Sequence, residues 1–145
     1  NIKDIEMTEG YDQPKGTLSL QTIAMPADTN WGGSVFGGWL VSQMDLAGAI
    51  HVERVSHGRC ATISIHEMTF LIPVSVGEVV SCYTDVTKIG NTSIQVHIEV
   101  WSINNHRAVP VKVTEGIFTF VAIESNGAKR TVPDDVRKLF ELSKQ

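Results

Sequence analysis

The sequence predicts an α+β fold in which one long helix is wrapped by a curved antiparallel sheet. Three observations carry that expectation. Val35 to Ile50 reads VFGGWLVSQMDLAGAI and holds a single charge, Asp45. Four long segments with strand-like patterning follow it, punctuated by Gly, Pro and Asn. A helix apolar nearly all round must be buried, and a curved sheet is the one other element large enough to cover it. The 145 residues, 42% hydrophobic and 19% charged, suit a single globular domain over 1–145, with 1–15 expected to form a flexible N-terminal segment.

The elements follow in order. Gly16 to Ala24 alternates polar Thr17, Ser19 and Gln21 with Leu18 and Leu20, as a first strand does. Pro26 to Gly33 is a loop rich in Asp, Asn and Gly. Ser34 is the expected N-cap of a helix reaching about Val55, whose last turns, with His51, Glu53 and Arg54, look solvated. Arg59 to Phe70 and Glu78 to Ile89 are the next strands. Gly90-Asn91 is expected to turn tightly, because both residue types tolerate positive φ. Thr92 to Ile103 then puts Ile94, Val96, Ile98 and Val100 on one face and Gln95, His97 and Glu99 on the other. Val109 to Ile123 is a last strand, expected to bulge near Glu115-Gly116. Pro133 opens a short helix with Val136, Leu139 and Phe140 at helical spacing. A helix swaddled by one sheet in this way is the hotdog architecture.

Composition narrows the function. A net charge of −4 offers no broad basic surface and argues against nucleic acid as a partner. The long apolar run is broken by Gly, Ser, Gln and Asp, so no membrane span is expected, and no signal-peptide pattern opens the chain. Cys60 and Cys82 form no C-x-x-C pair. They are expected to be buried small apolar residues in a reducing cytoplasm.

Asp45 is the residue that asks for an explanation. On the helix it shares a face with Gly38, Val41, Ser42, Gly48 and Ala49, most of them small. Small residues around a carboxylate leave room for a ligand, and equally permit close packing; the residues alone leave both open. Gly37 and Gly38 fall in the first turn, where backbone N–H groups lack intrahelical partners and suit a developing negative oxygen.

The pattern N-x-x-G-x-x-F-G-G-x-x-x-x-x-x-D, matched at Asn30, Gly33, Phe36, Gly37, Gly38 and Asp45, resembles the hotdog-fold acyl-CoA thioesterases of the bacterial YciA type. The likeness continues through Met68-Thr69-Phe70, Pro73, Val76 to Val80 and Phe118 to Ala122. It implies hydrolysis of acyl-CoA to free CoA and a carboxylic acid, with no metal and no cofactor. Asp45 is then the catalytic carboxylate, acting as general base on water or attacking the thioester itself. Asn30 orients the water or thioester, and the amides of Gly38 and Gly37 form the oxyanion hole. CoA contacts are expected at Lys129 and Arg130 and at Lys88 and Ser93. The resemblance also implies a homo-oligomer, a trimer of dimers, with Asn30 and Asp45 of one site coming from different subunits.

Other readings are weaker. His51, His57, His66, His97 and His106 show no clustered ligand spacing, and no His precedes the helix where a hotdog dehydratase is expected to carry one. Trp31 and Trp39 either line an acyl pocket or pack the loop, packing being favoured at Trp39. A non-catalytic acyl-CoA-binding regulator on the same fold is the competing class; action on acyl carrier protein is disfavoured by the scarcity of clustered basic residues.

Overall fold

The computed structural model describes residues 13–104, 106 and 109–145. Strand β1 (Thr17–Ile23) leads through a short 3-10 turn (Pro26–Asp28) to helix α1 (Gly37–Ser56). Strands β2 (Cys60–Phe70), β3 (Val79–Ile89), β4 (Ser93–Ile103) and β5 (Val111–Ala122) follow, and helix α2 (Asp134–Ser143) closes the chain. The strands form one antiparallel sheet in the order β1-β3-β4-β5-β2. The expected 1–15 segment lies largely outside the described residues; at its end, the Lys15 backbone N–H donates to Glu99 Oε1 at 3.0 Å.

The core sits between α1 and the sheet, and α1 touches all five strands. Leu40, Met44, Ala47, Gly48 and Val52 of the helix meet the inward set Ile94, Val96, Ile98 and Val100 of β4, as the alternation requires. Phe118 and Phe120 of β5 stack with centroids 6.3 Å apart and are fully buried. Burying each such ring contributes about 2–3 kcal/mol relative to exposure.

Several boundaries differ from the sequence reading for local reasons. Helix α1 begins at Gly37 with Phe36 as N-cap, not at Ser34. Ser34 is drawn into an extended bridge with Ser75, and the Val35 N–H donates to Val74 O at 2.8 Å, so the chain reaches the helix two residues late. The helix is not buried all round: Leu46 is 53% exposed and Ile50 41%. The hairpin after β3 closes through Gly90 N–H to Ser93 O at 2.7 Å, with neither Gly90 nor Asn91 at positive φ. The bulge expected at Glu115-Gly116 lies on the opposing strand: His66 pairs with Ile117 and Thr69 with Glu115, so Glu67 and Met68 together face Gly116. Glu67 takes φ 54° there, and Gly116 leaves room for the Met68 sulfur. Strand β2 is an edge of the sheet, with Ile63 and Ile65 exposed.

Candidate active site

Asp45 lies half-buried in α1 and accepts a hydrogen bond from the Thr62 hydroxyl of β2 at 2.5 Å. Sequence reasoning missed Thr62. No spacing links the two residues, because the contact arises from the way α1 crosses an edge strand seventeen residues later. Asp45 also helps to keep its neighbour Cys60 a thiol: burial first, then the Glu53 and Asp45 carboxylates, push Cys60 up to about 11, with Arg130 opposing. Burial alone takes Cys82 to about 12. Both thiols are free, and Cys60 is only half-buried because it opens the edge strand.

Asn30 builds its own loop. Its Oδ1 accepts from the N–H of Gly32 at 2.8 Å and of Ser34 at 3.3 Å, and its backbone N–H donates to Ser34 O at 2.7 Å. Gly33 permits the tight return with φ 87°. The carbonyl half of the side chain is therefore committed. The amide hydrogens on Nδ2 have no acceptor among the described residues, so the free end of the side chain is a donor.

Gly37 and Gly38 open α1, and neither N–H has an acceptor among the described residues. A Cβ at Gly38 would meet nothing within 4 Å; one at Gly37 would touch the Phe70 ring at 3.4 Å. Gly48 is different: a Cβ there would stand 2.6 Å from Phe120 Cζ and 2.9 Å from Ile98 Cδ1. The small face around Asp45 thus has two parts, open at Gly38 and tightly packed at Gly48. Seven residues separate Gly38 from Asp45, a rise of about 10 Å along the axis.

The four expected CoA contacts gather at the far end of α1. Val132 N–H to Asn91 O and Ala122 N–H to Thr92 O, both 2.8 Å, bring the turn between Lys88 and Ser93 beside the segment carrying Lys129. Lys88 and Lys129 are exposed and Ser93 is half-buried. Arg130, also half-buried, is the one of the four whose guanidinium binds the fold as well. It donates to Ser56 O at 2.8 Å, Arg59 O at 3.2 Å, Ile123 O at 3.3 Å and Ser56 Oγ at 3.4 Å. It braces the C-terminus of α1, where carbonyls lack helical partners. Arg130→Gln is expected to destabilise the fold by about 2–3 kcal/mol, read as a lower urea midpoint.

One cluster was invisible in the spacing of the histidines. Glu99 and Glu115 are cross-strand partners, and with His97 they bring three ligand-type atoms within 4.8 Å. Like charges so placed repel, and Lys112 answers them, 2.9 Å from Glu115 and 3.9 Å from Glu99. The buried Glu99 also accepts from the Trp101 indole at 2.9 Å. The Lys112 hydrogen bond, against some desolvation and with help from His97, holds Glu115 below its usual 4.5. A lowered carboxylate stabilises the fold above its unfolded value and loses that contribution as pH falls through the folded value. The thermal midpoint should therefore drop below about pH 4.5, and Glu115→Gln should flatten part of that acid limb. Of the tryptophans, Trp39 packs against the core as expected and Trp31 is fully exposed.

Comparison with known proteins shows which family the chain resembles. The thioesterase superfamily matches residues 32–109. Acyl-CoA thioester hydrolase YciA of Salmonella typhimurium is 47% identical over 131 residues, covering 88% of this chain and 98% of the relative. The hexameric thioesterase y2039 from Yersinia pestis superposes with a TM-score of 0.79 at 47% identity, over 83% of this chain and 98% of that one. HI0827, a hexameric broad-specificity acyl-coenzyme A thioesterase, gives 0.83 at 41% identity, over 94% and 95%. With this fold, this motif and these relatives, the chain belongs to the thioesterase superfamily and, within it, to the YciA-type hotdog proteins.

Proposed function

We propose that this protein hydrolyses acyl-CoA thioesters to free CoA and a carboxylic acid, with Asp45 as general base or nucleophile. The observation that carries the reading is the pairing of a carboxylate fixed by Thr62 with two unbonded N–H groups at Gly37 and Gly38, the second beside free space. Thr62 holds Oδ1, which leaves Oδ2 to take a proton from water or to attack the thioester carbon. The carbonyl oxygen, gaining charge in the tetrahedral intermediate, accepts from Gly38, with Gly37 beside it. The Asn30 amide hydrogens hold the water or the thioester oxygen. On the general-base route the C–S bond then breaks, the CoA thiolate takes up the proton, and the water oxygen stays on the acid. On the nucleophilic route the C–S bond breaks as an acyl–Asp45 anhydride forms, and water then cleaves that anhydride, freeing the acid and Asp45 and supplying the thiolate's proton. A thioester is already an activated acyl group, so these parts need neither metal nor cofactor.

The resemblance to the YciA-type enzymes supports a site shared between two chains, Asp45 from one and Asn30 with Gly38 from the other. The solved relatives y2039 and HI0827 are hexameric, and a trimer of such dimers is proposed here. Lys88, Ser93 and Lys129 would meet the CoA phosphates. No helix among the described residues is long and apolar enough to cross a membrane, and the two free thiols suit the cytoplasm. A thiol-release assay on a panel of acyl-CoAs tests the activity. Saturable CoA binding with no thiol release would make the protein a regulator instead, and turnover confined to acyl carrier protein substrates would move the activity to that partner.

A further inference from the structure

One turn ties down both ends of the loop that carries Asn30. Ser75 to Glu78 closes through Glu78 N–H to Ser75 O at 3.2 Å, with Gly77 at φ 89°. Gly77 N–H donates to Ala24 O at 2.8 Å and Ala24 N–H to Glu78 O at 3.0 Å, which fixes the chain as it enters the loop. Ser75 bridges Ser34, and Val35 N–H donates to Val74 O, which fixes the chain as it leaves. Ser34 then exchanges two hydrogen bonds with Asn30, one of them from its N–H to Asn30 Oδ1. Ser75, Val76 and Gly77 are themselves exposed, so little packing holds the turn.

Glu78 holds it instead. It is only 4% exposed, and its carboxylate joins two elements. Oε2 accepts from the Ser75 N–H at 2.8 Å, and Oε1 accepts from the hydroxyl of Ser102, which is buried in β4, the middle strand of the sheet. A carboxylate is costly to bury, and hydrogen bonds of this kind offset that cost. We propose that Glu78 is a positioning residue for Asn30: through Ser75 and Ser34 it fixes where the Asn30 amide stands. The assignment rests on the thioesterase reading, in which that amide holds the water or the thioester oxygen. A misplacement of about 1 Å in such a group can cost about 10²-fold in rate, so an exposed turn that sets its position needs an anchor in the sheet.

Glu78→Ala cuts the anchor and leaves Asn30 itself unchanged. Its kcat on a good acyl-CoA, measured well below the thermal midpoint, should fall by about 10²-fold, with KM little altered. Placed in an Asn30→Ala chain, the same substitution should lower kcat little further, because its route to the chemistry is already cut. Hydrogen exchange, read by mass spectrometry on the peptide over 25–36, should quicken by about tenfold, as loss of a hydrogen bond to a carboxylate implies. The peptide over 111–122 should stay as protected as in the wild type. Ser102→Ala keeps the turn closed and removes only the tie to β4. It should show the same pattern at smaller size, and it decides the matter alone if Glu78→Ala does not fold. Equal loss of protection in both peptides would make Glu78 a support of the whole fold, and full additivity with Asn30→Ala would mean that it acts elsewhere; either result overturns the proposal. If the 25–36 peptide alone loosens but no protein, wild type included, hydrolyses acyl-CoA, the thioesterase reading fails and the tie from Glu78 to Asn30 stands.

Discussion

Asp45→Asn is expected to lose about 10²- to 10⁴-fold in kcat, the range general-base catalysis supplies, while keeping its fold and its affinity for CoA. The substitution is nearly isosteric, and an amide oxygen can still accept the Thr62 hydroxyl that now reaches Oδ1 at 2.5 Å. What it removes is the basic, anionic oxygen. Steady-state kinetics with one good acyl-CoA, beside calorimetric binding of CoA, separates the two properties. Near-normal turnover by this variant would remove Asp45 from the chemistry. Thr62→Val is the companion measurement: it keeps the carboxylate and removes the group that orients it. Its loss in kcat should be smaller, and adding it to Asp45→Asn should cost little more, because the two act as one unit.

Gly48→Val is expected to cost about 3 kcal/mol or more of folding free energy. A β-carbon at that position would stand 2.6 and 2.8 Å from two ring carbons of Phe120 and 2.9 Å from Ile98 Cδ1. Both neighbours are fully buried and neither can swing into solvent. Gly48→Ala makes the sharper test. Helix propensity alone favours alanine over glycine by up to about 1 kcal/mol, so packing and propensity predict opposite signs. A lower urea midpoint for Gly48→Ala supports the packing account, and a raised midpoint would refute it. Gly38→Ala should behave in the opposite way, with the fold intact because nothing lies within 4 Å of the added methyl, and with turnover impaired because the methyl enters the space reserved for substrate.

The fold was legible because its signals are local. A 20-residue helix with a nearly unbroken apolar sequence, followed by long alternating strands, admits few arrangements. The positions of Asp45, Asn30, Gly37 and Gly38 were legible for the same reason: they fall within one stretch of motif. What stayed hidden depends on the crossing of distant segments. Thr62 reaches Asp45 because of the angle of α1 over β2, and Glu115 meets Glu99 because of strand register. What Arg130 binds within the fold stayed hidden because a basic residue after a turn carries no mark of where its guanidinium goes. In the fold it goes back to the end of α1. Ser34 failed as a cap because a bridge to Ser75, forty-one residues away, competes for it.

A site shared across a two-fold axis has a genetic consequence. If each site takes Asp45 from one chain and Asn30 from its neighbour, two crippled proteins can complement each other. An Asp45→Asn chain paired with an Asn30→Ala chain puts both defects in one site and leaves the other site whole. Random reassortment of the two inactive proteins should then restore about a quarter of wild-type activity per chain, as two-fold symmetry dictates. Chains that carried complete sites of their own would regain nothing on mixing.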